Sequence, residues 1–115
     1  MPNRIPDKAR STVKQRSHGR CERCGCPAPV GAWHHRRGRS VRDQHTHCPC
    51  NGVWLCHLCH VDVHAHPAQA QATGFLMSRH VNQPGTVSIT TPWGRRTHSC
   101  DGAVTYGATS EQTRR

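Results

Sequence analysis

Two sets of residues in this sequence have the types and spacings that metal chemistry requires. The first is His34–His35, Asn51, His60 and His64. Adjacent residues at the end of a strand point to opposite faces, so one imidazole of the pair can bind a metal while its neighbour faces a substrate. His60 and His64 are four apart and share one face of a helix. With His34 they make a three-histidine ligand set. Three protein ligands leave positions open on an ion, which is the arrangement of a catalytic site rather than a structural one. His35, left unbound, has an ordinary pKa of roughly 6.5 and is suited to take a proton from water near neutral pH.

The second set is Cys21-x2-Cys24 with Cys56-x2-Cys59, two chelating pairs that can close a tetrahedral thiolate site around one structural Zn²⁺. The gap between the pairs is longer than the roughly 15–20 residues of a simple zinc ribbon. The zinc would therefore staple the base of a loop that carries His34–His35, an arginine run and Asn51. Cys26 is an alternative to Cys24 as a ligand. Cys48 and Cys50 can bind a second ion or stay unliganded, and Cys100 has no assigned role. His18, His45, His47, His66, His80 and His98 follow no consistent spacing and read as surface residues, whereas His57 sits beside the second cysteine pair and reads as a hydrogen-bonding neighbour of the zinc. Arg36, Arg37, Arg39 and Arg42 follow the histidine pair closely enough to contact phosphate groups brought to it.

The elements that position these residues must be built from little apolar material. The 115 residues suffice for one compact domain and exclude a multi-domain enzyme. Hydrophobic residues make up 33%, with only three Trp, one Tyr and one Phe, so the core is small and needs a staple. The net charge of +10, with every cation except Lys8 and Lys14 an arginine, points to a polyanionic partner. The start, MPNRIPDKARSTVKQRS, lacks the apolar run of a secretory signal. The expectation is thus a cytoplasmic chain whose paired cysteines hold zinc rather than form disulfides. No stretch approaches the ~20 apolar residues of a membrane span, so no membrane role is expected.

Along the chain, residues 1–18 read as a basic flexible arm with a short helix around Ala9–Arg16. Residues 19–74 read as the functional module. Within it, residues 30–33 and 53–55 are short strands, and residues 57–66 form a helix with Leu58, Val61 and Ala65 on its apolar face, stopped by Pro67. PAQAQATG forms a second short helix ended by Gly74. Residues 75–115 read as a small hairpin appendage, turning at Pro92–Trp93–Gly94, with a tail.

At His34–His35, Asn51, His60 and His64, reinforced by the two CxxC pairs, roughly residues 20–66 resemble the HNH nuclease family. The resemblance implies a small α+β fold, the ββα-metal or His-Me finger module, here stapled by zinc and carrying a C-terminal hairpin. It implies a metal-dependent endonuclease that hydrolyses DNA phosphodiester bonds. His34, His60 and His64 would hold a catalytic divalent ion (Mg²⁺, Mn²⁺, Ni²⁺ or Zn²⁺), His35 would be the general base, and Asn51 would hold the loop that orients it. Many relatives carry Asp at the His34 position, the histidine being the alternative of colicin-type members. Free-standing proteins of this kind resemble those of tailed phages, acting in the bacterial host cell beside the packaging terminase. The competing expectation is a non-catalytic zinc-finger module that binds DNA. A RING-type protein-interaction module would leave the positive charge without a partner.

Overall fold

The computed structural model describes residues 4–38 and 40–107. Helix α1 (Asp7–Arg16) opens with Pro6 and Asp7 and ends with Lys14 and Arg16, charges that complement the helix dipole. It stops where His18 and Gly19 turn left-handed, at φ 57° and 72°, and Gly19 N–H closes on the Lys14 carbonyl at 2.9 Å. Residues 7–16 of the expected arm are therefore an ordered helix. Val13 and the Arg16 side chain are buried, and these two anchors dock α1 on the rest of the chain.

Strands β1 (Ala32–His35) and β2 (Gly52–Leu55) pair antiparallel, with Trp33 opposite Trp54 and His35 opposite Gly52. Every residue of β2 is buried. Gly52 is required by packing, because a Cβ there would stand 2.2 Å from the Trp33 indole. Trp54 Nε1 donates to the Ala28 carbonyl at 2.8 Å, so the large ring is buried without losing its hydrogen bond. Helix α2 (His57–Ala65) starts immediately after β2, with Cys56 as its N-cap. The face that meets the core is Cys59 and Val63. Leu58 and Val61, placed on the apolar face by periodicity, are 78% and 53% exposed, and Ala65 is exposed as well. The inward stripe is instead Cys59 and Val63, four residues apart on the helix.

Helix α3 (Pro67–Ala72) follows, with Pro67 in its first turn, and Gly74 ends the segment at φ 89°. A Cβ at Gly74 would meet the Ser88 carbonyl oxygen at 2.2 Å. After a 3₁₀ turn (Pro84–Thr86), strands β3 (Ile89–Thr91), β4 (Gly94–His98) and β5 (Val104–Tyr106) form an antiparallel sheet in sequence order. The expected hairpin is present as β3–β4, and a third strand extends it. This part of the chain is no loose appendage. Phe75 and Ile89 belong to the same hydrophobic cluster as Val13, Val53, Leu55 and Val63.

The union is also ionic. Glu22 is fully buried and accepts from Arg16 Nε at 2.9 Å and Nη2 at 2.7 Å, from Arg96 Nη2 at 2.9 Å, and from the Trp54 backbone N–H at 2.8 Å. The Arg96 guanidinium lies 5.1 and 5.6 Å from the ring centroids of Trp93 and Tyr106, and its Nη1 donates to the Tyr106 hydroxyl at 2.8 Å. One carboxylate thus joins α1, the first cysteine pair, β2 and β4. Glu22→Gln leaves two buried guanidiniums sharing a neutral partner and should cost about 3–5 kcal/mol, read as a lowered urea midpoint in zinc-replete protein. A loss under about 1 kcal/mol would mean that the ionic junction is dispensable.

Candidate metal centres

The thiols of Cys21, Cys24, Cys56 and Cys59 lie within 4.8 Å of one another. Cys24 and Cys56 are 3.8 Å apart, matching the roughly 3.8 Å edge of a tetrahedron with Zn–S bonds of about 2.3 Å. The backbone prepares the site for thiolates. Arg23 and Cys24 N–H groups approach Cys21 Sγ at 3.4 and 3.5 Å, and Cys59 N–H approaches Cys56 Sγ at 3.5 Å. Gly25, at φ 82°, allows the knuckle to turn, and an Arg23–Asp62 ion pair ties it to α2. Cys26 lies 3.2 Å from Cys24, whose sulfur pushes the Cys26 thiol up to about 12.

The second cluster is His34, His60 and His64, whose ring nitrogens also converge within 4.8 Å. His34 comes from β1 and the other two from successive turns of α2. His34 Nε2 is 2.7 Å from the Phe75 carbonyl. A carbonyl only accepts, so Nε2 carries the hydrogen and Nδ1 keeps its lone pair. A ligating histidine typically donates its other N–H in this way. Burial, against the opposing pull of the Phe75 carbonyl, lowers the His34 pKa to about 4, and burial lowers that of His60 as well. His34 is thus neutral at physiological pH, the form that binds metal.

This trio opens onto a cleft of about 280 Å³ that His35 also lines, with Trp33 and Leu76 as apolar walls. Across from His35 stands His47, their Nε2 and Nδ1 atoms 3.1 Å apart. Sequence reasoning placed His47 on the surface, because the loop that brings it to His35 leaves no periodic trace. Asn51 is fully buried. Its Oδ1 accepts from Arg37 N–H at 2.8 Å, and its Nδ2 donates to the Thr46 carbonyl at 3.1 Å. It therefore cross-braces both ends of the loop between β1 and β2 and makes no contact with the cleft itself.

Two of the four arginines expected at DNA are used internally. Arg36 is fully buried and donates to the carbonyls of Gly74, Cys50, Pro84 and Val87, at 2.7–3.3 Å. Arg37 donates to the Val81 carbonyl at 2.8 Å and to Asp43 at 2.6 Å. Neither can reach a phosphate without breaking the fold, since buried carbonyls would lose their donors. Arg42 is exposed, and Arg39 lies outside the described residues. His98, also expected on the surface, is fully buried, and its ring accepts from Arg96 Nε at 2.9 Å. A third cluster, His45, Cys48, Cys50 and Cys100, gathers ligand atoms within 4.8 Å. The sequence offers Cys48 and Cys50 to a second ion but leaves His45 on the surface, whereas the fold half-buries His45 beside them and brings in Cys100 from the C-terminal sheet.

Compared with protein-family models, curated proteins and solved structures, the chain matches none of them. Its own geometry makes it a small α+β protein with Cys and His clusters able to hold metal ions. No helix among the described residues is long and apolar enough to cross a membrane. Because the apolar core is small, the four-cysteine site should dominate stability, a structural zinc contributing on the order of 10 kcal/mol. Cys21→Ser or Cys59→Ser, or prolonged chelation of the unmodified chain, should abolish the cooperative unfolding transition. A folded, fully reduced sample without bound metal would count against a structural site.

Proposed function

We propose that this chain is a metal-dependent endonuclease of the HNH type, hydrolysing DNA phosphodiester bonds in the His34/His35/His60/His64 cleft. The observation that carries the reading is the pairing of a three-nitrogen cluster with a further histidine on one open cleft. A structural zinc needs four ligands, and the cysteine quartet supplies them, so the histidine trio has another use. Its residues fit a divalent ion: His34 is neutral with Nδ1 unprotonated, and His60 and His64 present nitrogens from adjacent helical turns. When bound, such an ion would supply Lewis-acid polarisation of the scissile phosphate and stabilise the departing 3′ oxygen.

The remaining chemistry belongs to the chain's own side chains. His35 accepts a proton from the attacking water. His47, hydrogen-bonded to His35, fixes the ring orientation of that base. Asn51 acts as a positioning residue by holding the loop that follows His35, and the Trp33 and Leu76 walls limit water in the cleft. The net charge of +10 favours a polyanionic substrate, and Arg42 is the exposed member of the arginine run among the described residues. A role in phage DNA processing or packaging is the biological setting we infer for such an enzyme.

The test is a supercoiled-plasmid nicking assay with Mg²⁺, Mn²⁺, Ni²⁺ or Zn²⁺. Nicking is expected with at least one of them. His35→Ala should keep fold, zinc and DNA affinity while losing about 10²–10⁴-fold in rate, the usual contribution of a positioned general base. His60→Ala and His64→Ala should instead be partly rescued by excess metal. His47→Ala should slow cutting less than His35→Ala and shift the pH–rate profile. A His35→Ala protein that nicks as fast as the unmodified chain would overturn the reading. Salt-sensitive DNA binding without cleavage under any metal would assign the chain to the non-catalytic DNA-binding modules.

A further inference from the structure

His45, Cys48, Cys50 and Cys100 play no part in the cleft chemistry, yet their ligand atoms all lie within 4.8 Å of one another. His45 Nδ1 is 3.8 Å from Cys50 Sγ and 3.9 Å from Cys100 Sγ. A tetrahedral zinc with one nitrogen and three sulfur ligands has N–S edges of about 3.6 Å and S–S edges of about 3.8 Å, from bond lengths near 2.05 and 2.3 Å. The observed spacings are within a few tenths of an ångström of that figure. A disulfide requires two sulfurs about 2.05 Å apart and would leave the third thiol and the imidazole without a role. We propose that these four residues bind a second structural zinc, a Cys3His site distinct from both the cysteine quartet and the histidine trio.

The local backbone supports a built site rather than a chance encounter. Asp43 Oδ1 accepts from His45 N–H at 2.8 Å, and Cys48 N–H donates to the His45 carbonyl at 3.1 Å, so a tight turn presents His45 and Cys48 together. Asn51 N–H closes on the Cys48 carbonyl at 2.8 Å, folding Cys50 back toward them. On the other side, Cys100 sits in the turn between β4 and β5, shaped by Gly102 at φ 94° and by Ser99 N–H on the Ala103 carbonyl at 2.9 Å. The zinc would join the β1–β2 loop to the C-terminal sheet. That loop carries His47, which faces His35, and ends at Asn51. The second zinc would therefore hold the loop that presents His47 to His35, whatever reaction occurs in the cleft.

The experiment counts zinc by native mass spectrometry in the reduced full-length chain carrying His60→Ala and His64→Ala, so that the histidine trio adds nothing to the count. Two zinc ions are expected, falling to one when Cys100→Ser is added, with the circular dichroism of a folded chain retained. After Co²⁺ substitution, the sulfur-to-cobalt absorption should fall from that of seven thiolates to that of four. One zinc in the parent chain would overturn the proposal, as would an unchanged count in Cys100→Ser. A disulfide among Cys48, Cys50 and Cys100 in freshly alkylated unmodified protein would overturn it too. Should Cys100→Ser fail to fold, the parent count decides by itself. None of these outcomes depends on whether the chain cuts DNA.

Discussion

A single buried carboxylate organises this protein. Glu22 sits between Cys21 and Cys24, and its two oxygens receive Arg16 from α1, Arg96 from β4 and a backbone N–H from β2. A carboxylate without partners in that position would be too costly to bury. With them, three segments far apart in sequence meet at one point, and the cysteine knuckle is oriented toward α2. The cation–π contacts of Arg96 with Trp93 and Tyr106, and its hydrogen bond to the Tyr106 hydroxyl, carry the same junction out to the edge of the C-terminal sheet.

The use of arginine follows from the shortage of apolar residues. Arg16, Arg36, Arg37 and Arg96 are withdrawn from solvent, and each is surrounded by backbone carbonyls or acidic partners. Arg36 alone collects four carbonyls from the β2 approach, the end of α3 and the turn before β3. Its guanidinium does what a large hydrophobic side chain does in a richer core, filling space between elements, and it also satisfies carbonyls that loops leave unpaired. The basic composition is accordingly divided between internal bracing and an external field, and only the second part can act on a polyanion.

The histidine cleft depends on this bracing. The carbonyl that sets the His34 tautomer belongs to Phe75, just after α3, whose position rests on Gly74 and on the Arg36 contacts behind it. β1 and α2 bring three nitrogens together, while the loop braced by Asn51 brings His47 to His35. Ligand geometry in so small a domain is thus secured by polar contacts at a second layer.

The amino-acid sequence by itself determined the local elements and the pairing of chelating residues. The second strand and the helix after it form at 52–55 and 57–65, within a residue of where the apolar run and the i, i+4 histidine spacing put them, whereas the first strand, expected over 30–33, forms over 32–35 and leaves Val30 exposed. Pro67 and Gly74 punctuate the helices for equally local steric reasons. Only the tertiary structure decided that Arg36 and Arg37 are internal, that Leu58 and Val61 face outward, and that residues 7–16 dock rather than wave. It also decided that His45 and Cys100, far apart in the chain, come within 3.9 Å. The physical reason is common to all of these. Residue type states what a side chain can do, but whether an arginine meets water or a carbonyl depends on which distant backbone groups the fold leaves unsatisfied.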